Sequence, residues 1–500
     1  MPSYMKHAAP AITLILLLMP QSCGFRPADV DVSFGPGKPA TGAELALMKG
    51  IPSDNIGYIL YDLDRKTVIR SHNPSRPFIP ASTTKVLSAV FALNVLGPDH
   101  RFETQLKYKG SISNGVLEGD LYLKGTGDPL LTASDLMGMA DGLKEKGITS
   151  VTGRIYYDET GLSNASSIDP DMEPYVSFNS GVSALSLDYN AIIAEWKRDR
   201  KTSAMGIHLI PSLPMNSAGI SREKLRDNVK FAYGNSGGSE SWLLSPDENR
   251  DGSERLPVKN PARYTAQMLA KICAMRGIRI QGAPAPGATP RWTSAIITHR
   301  GQRLCDIVDI TLTYSINLMA ELMMLTAVKE RTGEPKTMDA AARDLAAYFS
   351  GKLDRINWKE CRLFNGSGLT PKNRITPEQM AAVLVYADAQ DYQGRKFRMF
   401  LPASGWEGSL ASRLGDPDTA FHVWAKTGSI NYALALAGYL YTKSHRDMAF
   451  VIYISDIAAR GIYDSDPERR SRESMAKVHA WQNTGKKVMD SIVSGWIEDL

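Results

Sequence analysis

The hydrophobic positions change pattern several times along the chain. Residues 56–63 and 67–71 are short apolar, β-branched runs and predict two strands. After Pro80, residues 82–96 are apolar on nearly every side: Val86, Leu87, Val90, Phe91, Leu93 and Val95 leave no polar face. A helix of that kind is buried between layers, and Gly97-Pro98 ends it. Residues 100–290 instead show short alternating segments at 102–108, 116–123, 154–158, 191–196 and 205–210, which predict strands. Asn114-Gly115 predicts a hairpin turn between the first two. Helical patterns there cover 134–146 and 262–275, and the Pro/Ala/Gly run 281–290 reads as a boundary. Further on, 314–328 predicts an apolar helix. Thr376-Pro377-Glu378-Gln379 predicts the capped start of another. Three successive strands are expected at 421–427, 432–441 and 448–455, in a sheet covered on at least one face.

Composition narrows the class. The 500 residues are 43% hydrophobic and 22% charged, which excludes a disordered chain, a collagen repeat and a disulfide-dense miniprotein. The 58 basic and 53 acidic residues are interspersed, so the net charge of +5 does not call for nucleic acid. Residues 11–19, AITLILLLM, follow Lys6 and His7 and precede Pro20. That run is too short to span a bilayer and has the layout of a secretory signal, here 1–24. Cleavage after Gly24 and lipidation of Cys23 are both open, so a membrane enters only through a lipid anchor. Residues 25–45 read as a linker. Cys23, Cys273, Cys305 and Cys361 are too irregularly spaced for a zinc ribbon or a redox pair. The eight histidines contain no HxH or HxxxH pair, so neither metal nor cofactor is expected.

Several serine motifs compete for the chemistry. Gly234-Asn235-Ser236-Gly237-Gly238 fits a nucleophile elbow, but the sequence after it does not predict the required helix. Ser-x-x-Lys puts a lysine on the same helix face as a serine, where the neutral amine can take the hydroxyl proton. The pattern occurs at Ser3–Lys6, Ser82–Lys85, Ser221–Lys224 and Ser474–Lys477. Only Ser82–Lys85 opens a buried helix, and burial disfavours the charged lysine. Lys426-Thr427-Gly428 occurs once, at the end of an apolar strand. There Lys426 and Thr427 point to opposite faces, and Gly428 lets a substrate backbone approach the edge. Ser315-Ile316-Asn317 lies between the two. Each triplet is weak alone; the order SxxK, SxN, KTG carries the weight.

With those residues in place, the chain resembles D-Ala-D-Ala carboxypeptidases of the penicillin-binding protein 4 (DacB-like) type. The matching segments are Pro80-Ala81-Ser82-Thr83-Thr84-Lys85, Lys124-Gly125-Thr126-Gly127-Asp128-Pro129, Asn365-Gly366-Ser367-Gly368-Leu369 and Ala425-Lys426-Thr427-Gly428-Ser429. Ile316, Asn365 and Ser429 depart from the commoner family residues. The resemblance implies an α/β (α+β) fold: a β-lactamase/transpeptidase-like domain, 46–99 and 291–500, with an antiparallel sheet flanked by helices. A β-rich insertion of one or two subdomains, 100–290, interrupts it. It also implies export to the periplasm or cell envelope, action on peptidoglycan stem peptides and inhibition by β-lactams. In the implied reaction Ser82 attacks the carbonyl between two D-alanines and Lys85 accepts its proton. Backbone N–H groups of Ser82 and Ser429 hold the oxyanion. Ser315 passes a proton to the leaving amine, and Asn317 orients Lys85 and the substrate amide. Lys426 adds positive potential, and Thr427 and Ser429 hydroxyls bind the terminal carboxylate. Two alternatives stay open: a β-lactamase or esterase on the same fold, and a non-catalytic cell-wall-binding protein.

Overall fold

The computed structural model describes residues 25–199, 201–202, 204–210, 218–225, 230–236, 239–246 and 250–500. The expected signal and Cys23 lie outside them. Five antiparallel strands form the central sheet, in the order Val423–Ile430, Ala433–Tyr441, Asp447–Ser455, Ile56–Asp62 and Thr67–His72. Every residue of Ile56–Asp62 is buried, because both faces of the sheet are covered. Ile56, Tyr58 and Leu60 face the C-terminal helix Arg472–Asp499, whose Val488, Met489, Ile492 and Val493 share their core. Ile59 faces the opposite core, built on the helices Thr84–Leu96, Asn317–Thr332 and Pro377–Asp388. Side-chain alternation along one strand thus feeds two cores.

Thr84–Leu96 is the buried helix expected at 82–96, preceded by one 3-10 turn at Ala81–Thr83. Val86 through Leu93 are buried throughout. Gly97, at φ 83°, closes the helix in a conformation that favours glycine. The Thr376 hydroxyl accepts from the Gln379 backbone N–H and completes the expected capping box.

The insertion has its own sheet and its own core. The sheet order is Arg279–Pro286, Ser150–Asp158, Val116–Gly125, Arg101–Ser113 and Ser294–Arg303. Asn114 and Gly115, at φ 50° and 78°, make the expected hairpin turn. Two three-stranded sheets lie beside it, and their Trp196, Phe231 and Trp242 join the same core as Leu106 and Leu121. The insertion is therefore one unit by its core.

Four sequence expectations need correction. Ser294–Arg303 pairs with Arg101–Ser113, so the insertion runs past 291, the expected return to the catalytic domain. Residues 281–286 are strand, since edge pairing on Ser150–Asp158 tolerates the prolines there. Residues 25–45 pack rather than link: Phe25 stacks on Tyr392 at 5.4 Å, Val32 is buried, and the Ala28 N–H donates to Gln390 Oε1 at 2.7 Å. The apolar helix expected at 314–328 forms as Asn317–Thr332, and its start shifts because a separate helix, Leu304–Tyr314, ends at Ser315.

Candidate active site

Ser82 sits in the 3-10 turn ahead of its helix, and Lys85 lies within the helix with no exposed surface. Lys85 Nζ is 2.9 Å from Ser82 Oγ, 2.6 Å from Asn317 Oδ1 and 2.7 Å from the Ser367 carbonyl. A neutral amine has two N–H donors and one lone pair. With the donors on Asn317 and Ser367, the lone pair is left for the Ser82 hydroxyl proton. Burial, then the charge of Lys426, push the Lys85 pKa well below that of an ordinary lysine, while Glu321 pulls it up. The backbone enforces the arrangement. Ala81 has φ 44°, and its carbonyl lies so close to Gly368 that a Cβ there would stand 1.7 Å away.

Ser315 adopts the left-handed conformation, φ 60°, and this kink separates the two helices. Asn317 then begins the second helix, turned inward, with its Oδ1 on Lys85 and its Nδ2 donating to the Phe178 carbonyl at 3.0 Å. Ser315 is half-buried, and its hydroxyl makes no hydrogen bond among the described residues.

Lys426 is fully buried in the edge strand Val423–Ile430, with Nζ donating to the Thr427 carbonyl at 2.9 Å. Burial lowers its pKa to about 7. Gly428 brings this strand against Ser82: a Cβ there would lie 2.9 Å from Ser82 N and 2.8 Å from the Pro80 carbonyl. On the other side of the strand, Ser429 Oγ accepts from Gln482 of the C-terminal helix at 3.2 Å. The structure thus gathers Ser82, Lys85, Asn317, Lys426 and Gly428 at one place, from three distant stretches of sequence.

The D-Ala-D-Ala carboxypeptidase 3 (S13) family model matches residues 43–481. The chain belongs to this family. Similar proteins include the D-alanyl-D-alanine carboxypeptidase DacB of Haemophilus influenzae, 26% identical over 420 residues, 80% of this chain and 85% of that one. The D-alanyl-D-alanine carboxypeptidase of Actinomadura sp. strain R39 is 25% identical over 413 residues, 77% and 74% of the two chains. The crystal structure of penicillin binding protein 4 (dacB) from H. influenzae superposes with a TM-score of 0.77 at 22% identity, covering 92% of this chain and all of that one. The same protein is also solved with a novel beta-lactam, with a TM-score of 0.74 here. The protein is accordingly a serine-type D-Ala-D-Ala carboxypeptidase, and its fold is that of a penicillin-binding protein.

In this S13 enzyme three contributors escape the motif reading. Glu321, one helical turn past Asn317, is fully buried and accepts from the backbone N–H groups of Gly366 and Ser367 at 2.9 and 2.7 Å. It holds the loop whose Ser367 carbonyl meets Lys85. Burial raises its pKa, against hydrogen bonds from Ser367 and Gly366 and the charge of Lys85. A lone glutamate inside Leu318–Val328, otherwise almost wholly apolar, was the available signal. The second is Phe178, whose carbonyl reaches Asn317 from the insertion. The third is the pair of ties that fasten that segment to both sides of the catalytic domain. Asp171 pairs with Lys372 at 2.7 Å, and Glu173 pairs with Arg469 and Arg470.

The decoys fall elsewhere. Ser236 ends a strand paired antiparallel with Ser239–Leu244, and no helix follows. Ser221 lies on a strand, and Lys477 pairs with Glu473 at 2.8 Å on an exposed face. Ser3–Lys6 is outside the described residues. No helix among those residues is long and apolar enough to cross a membrane.

Proposed function

We propose that this enzyme trims peptidoglycan stem peptides through an acyl-enzyme on Ser82, with Lys85 as its base. The observation that carries the reading is the Lys85 amine, 2.9 Å from Ser82 Oγ with its other two acceptors already supplied by Asn317 and Ser367. Ser82 Oγ attacks the carbonyl between two D-alanines as its proton passes to Lys85. The backbone N–H groups of Ser82 and Ser429 take the oxyanion. Ser315 relays the proton to the departing amine, and Asn317 aligns the substrate amide. Thr427 and Ser429 hydroxyls hold the leaving residue's carboxylate. Lys426, buried beside Lys85, keeps that amine neutral. Water then cleaves the ester, and a β-lactam that acylates Ser82 blocks it.

The apolar run at 11–19 supports export to the periplasm or cell envelope, with 1–24 removed or Cys23 lipidated. Incubation with a pentapeptide ending in D-Ala-D-Ala, followed by mass analysis, tests the reaction. Release of a single D-alanine supports it; an intact peptide beside a β-lactam-labelled Ser82 refutes it.

A further inference from the structure

Asn317 meets its two partners with opposite ends of one amide. Oδ1 lies 2.6 Å from Lys85 Nζ, and Nδ2 donates to the Phe178 carbonyl at 3.0 Å. A backbone carbonyl only accepts, so it can face only the Nδ2 end. With Nδ2 held there, Oδ1 is turned to Lys85 and takes one of its N–H groups. Turned over, the same amide would aim Nδ2 at the amine and compete for the lone pair.

The Phe178 carbonyl is itself held from within the insertion. The Phe178 ring is exposed, so packing of that side chain does not fix it. Lys259 is buried, and its Nζ donates to the next carbonyl, that of Asn179, at 2.8 Å. The buried Asn179 side chain clasps Asp169: Oδ1 accepts from the Asp169 N–H and Nδ2 donates to the Asp169 carbonyl, both at 2.8 Å. The Gly181 N–H donates to the Val258 carbonyl at 2.8 Å, so the two stretches lie side by side. Lys259 is fixed in turn by Glu240, whose carboxylate accepts from the backbone N–H groups of Lys259 and Asn260. Burial brings the Lys259 pKa down to about 8, against the charge of Glu240. No step of the reaction above uses this amine.

On the Ser82–Lys85 reading above, we infer that Lys259 and Asn179 are positioning residues: through the Phe178 carbonyl they fix which way the Asn317 amide faces, and so where Lys85 presents its lone pair. The insertion thereby takes part in the reaction without touching substrate. Lys259 acts through three carriers in series: the Asn179 carbonyl, the Phe178 carbonyl and the Asn317 amide.

Stopped-flow acylation by a fluorescent penicillin, read between about pH 5 and 9, tests this. Lys259→Met should slow acylation about tenfold and move its rising limb to lower pH, because a Lys85 ammonium without its Oδ1 acceptor gives up its proton more readily. Lys426 and Glu321, the charged groups that face Lys85, are the same in both proteins. Loss of the Lys259 charge by itself would move the limb the other way. In an Asn317→Ala background, Lys259→Met should change the rate by less than about twofold. An unslowed variant, a limb that does not move to lower pH, or an equal loss in both backgrounds would each overturn the positioning role. If Lys259→Met does not fold, Asn179→Ala, which opens the clasp on Asp169, runs the same cycle with the same expected results. A wild type that penicillin does not label at Ser82 would overturn the Ser82–Lys85 reading itself, and this role with it.

Discussion

The Ser367 backbone N–H donates to the Glu321 carboxylate at 2.7 Å, and the Ser367 carbonyl accepts from Lys85 at 2.7 Å. The backbone of one residue therefore ties a buried carboxylate to a buried amine. The loop Asn365–Ser367 is held from behind by an acid that touches no substrate. Because Glu321 raises the Lys85 pKa while burial and Lys426 lower it, this acid also helps set the pH at which Lys85 loses its proton.

Replacing Glu321 should separate those two effects. In Glu321→Gln one of the two backbone donors loses its acceptor and the charge disappears, so acylation by penicillin should fall by about 10- to 100-fold. Without the charge, the Lys85 pKa drops further, and the rising limb of the acylation rate should move to lower pH. Glu321→Asp keeps the charge and should leave the limb near its wild-type position. An unmoved limb in Glu321→Gln would show that Glu321 supports the loop only.

Ser82→Ala should abolish covalent labelling by penicillin, while Ser221→Ala, Ser236→Ala and Ser474→Ala should not. Loss of the nucleophile costs about 10³–10⁶ in rate. Intact-mass measurement after exposure to the drug reads this directly.

Acylation by the wild type should rise with pH. Lys85 is a base only when neutral, and its lowered pKa places that change well below the range of a free lysine. Lys426, at about 7, stays protonated in acid and pushes Lys85 toward neutrality there. Lys85→Arg cannot deprotonate near neutral pH and should be nearly as damaged as Ser82→Ala. Stopped-flow acylation between pH 5 and 9 checks both; near-normal acylation in Lys85→Arg would make Lys85 a positioning group.

Gly428→Ala should push the edge strand away from Ser82. Its Cβ would meet backbone at Pro80 and Ser82 at under 3 Å. Overpacking of this kind costs about 1–3 kcal/mol in stability. Gly461→Ala, where a Cβ meets nothing within 4 Å, is the control. The expected result is a lower Tm and slowed acylation in Gly428→Ala alone, read by thermal melts and drug labelling.

β-Lactams should acylate Ser82 and leave slowly. Fast release needs a carboxylate that aims water at the ester, as a glutamate does in class A β-lactamases. The buried acid beside Lys85, Glu321, is already engaged by Gly366 and Ser367. A chase after labelling measures the release rate. Penicillin turnover as fast as D-alanine release would favour the β-lactamase alternative.

What the sequence settled by itself was local. The all-apolar segment after Pro80 required a buried helix, and i, i+3 spacing put Lys85 on the face of Ser82, because both follow from helix geometry. Strand alternation put Lys426 opposite Thr427 for the same kind of reason. Folding decided what joins across distance. Asn317 reaches Lys85 from 232 residues away, and Gly428 lies against Ser82 because the turn Ala81–Thr83 packs on the edge strand. The Ser315 kink was hidden, since apolar residues run on through it and the αL turn leaves no mark on hydrophobic period. Glu321 was legible only as an oddity among apolar neighbours. Its role depends on which loop packs over it, and the core that takes in Leu322, Leu363 and Leu369 sets that, not any spacing along the chain.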